Sequence, residues 1–381
     1  MKNICVVGSL SSIFTHSYIS SLISNGYNVV IINTSKKINY DKYKNCEILN
    51  LNKVENSKLS VGSKSKLKDS NLFCYFYEIF LYFRSLLASN SRIETFLEGK
   101  NPDQFIFFWG TSIRKEFFNI KKIYNKKTIA PEFILDVATY PIRDYATKKT
   151  PKFLLWFDTL YFNSFDKVLS HSKIMDLFLS KQLSVKEKII NRFICSFPKS
   201  AYYNRKDSRK INSLKKIIFL GTLNGESSIN NISSDVLQLA NSGVEVYIQN
   251  SRDSNIAHPN VKTFEPFSFE EIIEGKLSNF CAGFDGVLVA YGPMSKLRED
   301  LTYPTRYALA LLQNLPIFIQ AGRFSSLMEI TAQNLKNSIV YYSDVKEIVN
   351  YTLEIEDLSA DINDCMENKL KTLLDKDYVL K

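Results

Sequence analysis

Chemistry in this sequence gathers first at Pro304-Thr305-Arg306, which precedes an apolar, Ala/Leu-rich stretch from Tyr307 to Gln313. A proline suits the first turn of a helix, where its missing N–H costs nothing, and the next residues then sit where free backbone amides point outward. Such a helix start attracts anions, and an arginine beside it can grip two phosphate oxygens at once. The expected ligand group is therefore a phosphate, with Arg306 as its main contact and Lys296 and Arg298 behind it. Gly221-Thr222 closes the apolar run Lys216 to Leu220 as a strand-then-glycine turn, the form a nucleotide-binding half would take. Asp136 ends the run Ile134-Leu135-Asp136. Loops after strand ends line the ligand crevice of a doubly wound sheet, so its carboxylate is placed to reach a substrate.

The elements that must hold these groups read as two α/β halves. Ile4 to Val7, Gly8, a serine-rich loop, a helix over Thr15 to Ser24 and a strand over Asn28 to Ile32 form a β-loop-α-β unit, which predicts a parallel sheet. Only Gly8 stands in the loop, so a dinucleotide fingerprint is not supported. An edge strand is expected near Ile48 to Leu51. A polar, basic linker spans 196 to 214, and the second half restarts at Lys216. Its helix over Ser233 to Ser242, the strand Val244 to Gln249 and the strand Phe284 to Ala290 follow, the last leading to Tyr291-Gly292-Pro293. Asn314 and Pro316 end the helix after Arg306 before a buried strand, Ile317 to Gln320, and Asn tolerates the left-handed conformation such a turn needs. Closing helices are expected over 328–336 and 345–353. The run Leu72 to Arg84 is apolar on nearly every face, as in a core helix or one lying at a membrane interface, with the core reading favoured.

Pro304-Thr305-Arg306, seven residues, then Asn314-Leu315-Pro316-Ile317 resembles the pattern Pro-Ser/Thr-Lys/Arg, helix, Gly-x-Pro-Val/Ile of the nucleotide-sugar-binding domain of GT-B glycosyltransferases, especially the family-4-like group. Asn101-Pro102-Asp103, Phe165 to Ser172 and Asn260 to Phe267 resemble further steps of the same fold, in the same order. The resemblance implies two Rossmann-like doubly wound domains facing a central cleft: an acceptor domain over 1–205, a donor domain over 206–360, and a C-terminal helix over 361–381 crossing back. It implies a nucleotide diphospho-sugar with its diphosphate on Thr305 and Arg306, near Gly221, Thr222, Tyr291 and Gly292, and its base against Glu265 and Phe267.

Transfer by inversion needs a group to take the acceptor's proton. Asp136 is the first candidate, Asp144 the second and His16 the third. The Glu-x7-Glu pair of retaining family-4 enzymes is missing, since Tyr307 stands eight positions after Glu299, and Asn230 and Asn231 replace a usual Lys/Arg. An inverting member, similar in layout to the bacterial glucuronosyltransferase of exopolysaccharide assembly, fits at least as well. No Asp-x-Asp motif flanks a strand, so neither a metal nor another cofactor is expected.

The 381 residues suffice for two domains, and 45% hydrophobic with 23% charged residues is ordinary for a globular protein. A net charge of +10 suits an anionic ligand or an acidic membrane surface. Lysines are dispersed, without a basic helix interleaved with aromatics, which disfavours nucleic acid. The cysteines lack metal or disulfide spacing, pointing to a reducing compartment, and no apolar run reaches membrane-spanning length. The expected setting is cytoplasmic, peripheral on the inner face of the membrane, with a glycan or lipid-linked acceptor. Two other readings stay open: a non-catalytic nucleotide- or glycan-binding subunit, and a nucleotide-sugar 2-epimerase, for which the three histidines are few.

Overall fold

The structure, a computed structural model, describes residues 2–10, 12–35, 43, 45–51, 71–108, 113–125, 130–141, 152–185, 189–191, 197, 199–201, 209–223, 230–251, 256–327 and 339–355. Asp144, the expected helix over 328–336 and the expected tail helix over 361–381 lie outside them. The described residues form two compact units. The first holds residues up to 138, 152–170 and 176–191; the second holds 139–141, 171–175 and the residues from 197 onward.

In the first unit the elements run β1 (Asn3–Gly8), α1 (Ile13–Ser24), β2 (Asn28–Asn33), β3 (Glu47–Asn50), α2 (Asn71–Leu86), α3 (Ser91–Leu97), β4 (Gln104–Phe108), α4 (Ile113–Tyr124), β5 (Glu132–Asp136), α5 (Lys152–Phe162), β6 (Lys167–Ser170), α6 (Lys173–Gln182) and β7 (Ile189–Asn191). The strands make one parallel sheet in the order β3-β2-β1-β4-β5-β6-β7. Ile4 to Gly8 are all buried, and successive strand residues point to opposite faces, so both faces of the sheet are covered. Aromatic rings fill the space beside β4 and β5: Phe117 stacks on Phe165 at 4.0 Å, and both pack edge-on against Phe107. The Asn33 side chain, at the end of β2, accepts from the Leu10 amide at 3.1 Å and so holds the loop after β1.

The second unit runs β8 (Arg209–Ile211), β9 (Lys216–Thr222), α7 (Ser233–Asn241), β10 (Glu245–Gln249), β11 (Val261–Phe264), α8 (Phe269–Ile273), α9 (Lys276–Cys281), β12 (Gly286–Val289), α10 (Lys296–Leu301), α11 (Thr305–Leu311), β13 (Ile317–Gln320), β14 (Ile339–Tyr342) and β15 (Leu353–Ile355). Its main sheet is parallel, ordered β11-β10-β9-β12-β13-β14. The chain winds outward from β9 through β10 to β11, then restarts on the other side of β9 with β12. That reversal puts a crevice at the carboxyl ends of β9 and β12.

Three details depart from the sequence reading. Pro304 is the residue before the helix, not within it, with an extended backbone (φ −69°, ψ 129°), and its carbonyl accepts from the Tyr307 amide at 3.0 Å. The expected helix over 345–353 is a 3₁₀ turn, Val345–Asn350, followed by β15, which pairs antiparallel with β8. The Leu353-Glu354-Ile355 alternation suits an edge strand, but its partner lies far away in sequence. Finally, α2 is not a core helix, because Phe76, Phe80 and Phe83 are exposed.

Asn314 does adopt the left-handed conformation, with φ 48°. A β-branched residue there clashes with its own backbone, so Asn314→Val should cost about 1–2 kcal/mol in urea unfolding. Asn314→Gly should fall much closer to wild type, because glycine takes that conformation freely.

Candidate donor-binding site

The carboxyl edge of the second sheet carries a cleft of about 480 Å³, within the usual range for small-ligand pockets. Its walls are the start of α7 with the residues before it (Asn231, Ile232, Ser234, Asp235), the loop Tyr291–Met294 after β12, Glu299 of α10, and Gln320 and Arg323 after β13. The parallel strands make this inevitable: every loop leaving a carboxyl end emerges on the same side of the sheet.

Arg323 sets the shape of one wall. Its Nε donates to Glu299 and its Nη1 to the Tyr291 carbonyl, while Nη2 donates to the Gly292 carbonyl at 2.9 Å. The half-buried pair with Glu299 thus ties the loop after β12 to the loop after β13. Opposite stands Asp235, whose carboxyl is pushed up by burial, against the pull of Arg323 and with a further push from Asp344. Ile232, the residue before α7, has no side chain able to cap it; the Asn231 side chain accepts from the Ser233 amide at 3.4 Å, and the other first-turn amides lack a side-chain cap from Ile232.

Beneath the cleft floor lies Arg306. Its guanidinium sits 4.2 Å from the Tyr291 ring centroid and 4.5 Å from that of Phe219. Nη1 donates to the Ala290 carbonyl at 2.7 Å and Nη2 to Asn230 Oδ1 at 2.9 Å. Gly221 passes so close that a Cβ there would overlap the guanidinium. Among the described residues no carboxylate pairs with this buried cation, and burial pushes its pKa down. Isolated buried charge is costly, so the ring faces and carbonyl supply what stabilisation there is.

The structure brings Gly221, Tyr291, Gly292 and Arg306 together at the β9/β12 crevice. Thr305 is half-buried at the start of α11, and Thr222 is exposed at the end of β9. Glu265 and Phe267 follow β11 at the sheet's edge and do not line the cleft; Glu265 accepts from Asn250 Nδ2 at 2.7 Å, and Phe267 packs on Phe264 and Phe280. Lys296 is exposed and pairs with Asp300 at 2.9 Å, and the Arg298 amide is held by Ser295 Oγ. Sequence reasoning missed Asp235, Gln320 and Arg323 as cleft residues. Gln320 and Arg323 end and follow a strand, the same signal that singles out Asp136, and could have been found by it.

In the first unit Asp136 is buried at the carboxyl end of β5, registered between Phe108 and Leu169. His16 is also buried. Its Nε2 donates to the Leu10 carbonyl, which leaves Nδ1 as the acceptor for the Tyr43 hydroxyl at 2.8 Å. The lone pair a general base needs is thereby occupied, and burial lowers the ring's pKa to about 4 despite the Leu10 bond. Among the described residues no cluster of three His, Cys, Asp or Glu groups is placed to hold a metal ion.

No protein-family model and no curated protein matches this sequence. Solved structures do match. They include sucrose-phosphate synthase from Thermosynechococcus elongatus, with TM-score 0.59 and 8% identity over 97% of this chain and 95% of that one. TarM matches with TM-score 0.54 and 10% identity over 100% and 96%. The catalytic domain of starch synthase IV from Arabidopsis thaliana, bound to ADP and acarbose, matches with TM-score 0.54 and 9% identity over 96% and 95%. The fold is the two-domain α/β GT-B fold found among glycosyltransferases.

His16 links this geometry to pH. The folded pKa of about 4 lies below the ordinary value near 6.5, so between the two the unfolded chain binds more protons and stability is lost as pH falls. The loss attributable to this ring should approach about 3 kcal/mol by pH 4. Urea midpoints from pH 7 to 4 should therefore fall more steeply for wild type than for His16→Gln; parallel curves would contradict the assignment.

Proposed function

We propose that this chain is a glycosyltransferase that moves a sugar from a nucleotide diphospho-sugar to a hydroxyl of a glycan or lipid-linked acceptor, in assembly of bacterial surface polysaccharide or glycoconjugate. Its placement is peripheral, on the inner face of the cytoplasmic membrane. The observation that carries the reading is Arg306: a buried cation that pairs with no carboxylate among the described residues, at the crevice where β9 and β12 part. A diphosphate supplies the missing negative charge. In the same crevice Gly221 and Thr222 offer close backbone approach, and the first turn of α7, whose N-cap Ile232 makes no side-chain bond, offers amides. The GT-B fold supports this reading, as does the ADP bound by the starch synthase structure.

As the sugar–phosphate bond breaks, charge grows on the leaving diphosphate. Groups already aimed at that position stabilise it without reorganising, so Arg306 and the α7 amides act on the transition state more than on the bound donor. Arg323 acts at one remove, by fixing the Tyr291–Gly292 loop. Asp235, an acceptor on the opposite wall, suits a sugar hydroxyl. Thr305 adds a hydroxyl at the phosphate end, and Glu265 and Phe267 are assigned to the nucleoside end. Asp136 is assigned as the base that takes the acceptor's proton, giving inversion, and no metal step is invoked.

Thermal-shift titration with UDP, GDP, dTDP and CMP tests the donor half. Arg306→Ala should weaken the best nucleotide by about tenfold or more, the value of one charge-assisted hydrogen bond. Gly221→Ala should do the same while leaving Arg306 in the chain, because the added methyl displaces the guanidinium. Unchanged affinity in both variants would place the phosphate elsewhere. Asp136→Asn tests the acceptor half: sugar transfer should fall by about a hundredfold or more with donor affinity retained, and full turnover would dismiss Asp136 as the base. Donor hydrolysis without acceptor separates the enzyme from a binding subunit, which would bind nucleotide and release no sugar.

A further inference from the structure

The described side chains of α2 divide between two faces. Tyr82 points inward, 4.8 Å from Phe157 of α5 and 6.1 Å from Phe118 of α4 by ring centroids, with Arg114 over its ring and paired to Asp158. Phe76, Phe80, Phe83 and Leu87 point the other way, spaced four, three and four residues apart, one stripe at helical period. They are 68%, 56%, 54% and 83% exposed. On α5, Trp156 and Leu160 are exposed as well, at 57% and 42%. Phe83 and Trp156 both touch Phe157, at 6.1 and 5.0 Å, so the two outer faces join into one apolar surface.

Among the described charged side chains of α2, α4 and α5, the exposed ones are basic. Arg84 is exposed beside Phe83, and Lys115 and Lys122 are exposed on α4. Lys122 reaches the carbonyl of Leu86 at 2.6 Å, which puts its ammonium at the end of the stripe. The carboxylates described on α4 and α5, Glu116 and Asp158, are buried. In sequence, the segments leading into α2 and α5 (52–70 and 142–151) hold eight Lys and Arg against three Asp and Glu. A protein partner or a second copy of this chain would be matched by apolar area alone; an anionic bilayer matches both the rings and the basic border. Tryptophan and phenylalanine settle at the headgroup boundary, and each nearby basic residue adds attraction to lipid phosphate.

We propose that the α2/α5 face is the surface by which this protein docks on an anionic lipid bilayer. The proposal deepens the membrane placement given above and rests on that reading for its setting, but on residues separate from the donor cleft.

The test is co-sedimentation of the full chain with vesicles of phosphatidylglycerol and phosphatidylcholine, against phosphatidylcholine alone. Wild type should bind the anionic vesicles at least about tenfold more tightly, with binding weakened by added salt. Its tryptophan emission should shift to the blue on binding, and Trp156→Phe should remove most of that shift. The double variant Phe80→Ser, Phe83→Ser should lose about tenfold or more in vesicle affinity while keeping its nucleotide affinity and most of its thermal stability, since both side chains are more than half exposed. Three results would overturn the proposal: no preference for anionic vesicles, undiminished binding by the double variant, or a wild-type dimer that the double variant converts to monomer. Nucleotide titration of the same samples keeps the two readings apart, because failure of vesicle binding leaves nucleotide affinity untouched and failure of the donor reading leaves vesicle binding untouched.

Discussion

A guanidinium under the floor of a cleft, with aromatic faces on two sides and no carboxylate among the described residues, is the constraint to which the second unit answers. Arg306 reaches it from α11, the rings come from β9 and the loop after β12, and the Ala290 carbonyl comes from the strand end between them. Moving any of these elements by an ångström would leave a buried cation with fewer partners, at a cost of several kcal/mol. Gly221 belongs to the same arrangement, because only a residue without a Cβ lets β9 close over the guanidinium. The site's geometry is thus held by an unsatisfied charge, an economical device if the missing partner is the ligand.

Arg323 shows the contrast. It also is half-buried beside the cleft, yet Glu299 neutralises it and two loop carbonyls use its donors. A compensated cation of this kind has little left to offer an anion; its work is to hold the Tyr291–Gly292 loop at a fixed height over Arg306. The two arginines differ in that only one has an acid beside it among the described residues. Asp235 adds the opposite polarity on the facing wall. The cleft thus has a buried cation below it and acceptors on its wall.

How much of this could be read from the chain depends on how local the cause was. The apolar runs Ile4–Val7, Lys216–Leu220 and Ile317–Gln320 are strands because they are buried on both faces, and burial on both faces is visible as an unbroken apolar run. Asn314 was legible too, since its left-handed turn is a property of one residue and its neighbours. By contrast, β15 depends on a strand more than a hundred residues earlier, and His16 owes its occupied lone pair to Tyr43, which periodicity cannot reveal. Arg306 was found for its charge beside a helix start, but its burial between Phe219 and Tyr291 was not, because those rings arrive from β9 and from the loop after β12. Arg323 follows a strand but belongs to no motif, so its place in the cleft shows only in the packing.

The aromatic run over Leu72 to Arg84 turns on the same distinction between sequence and packing. Composition alone makes every face of α2 apolar, which is compatible with a helix sunk in the core, and the core is the cheaper assumption for so many rings. Packing limits that option: Tyr82 turns inward to Phe118 and Phe157, while Phe76, Phe80 and Phe83 stay more than half exposed. So exposed, these rings realise only part of the roughly 1.5–3 kcal/mol that full burial of such a side chain gives. Polar side chains at these exposed positions would leave the inward packing of Tyr82 intact, so the fold itself does not require the phenylalanines there.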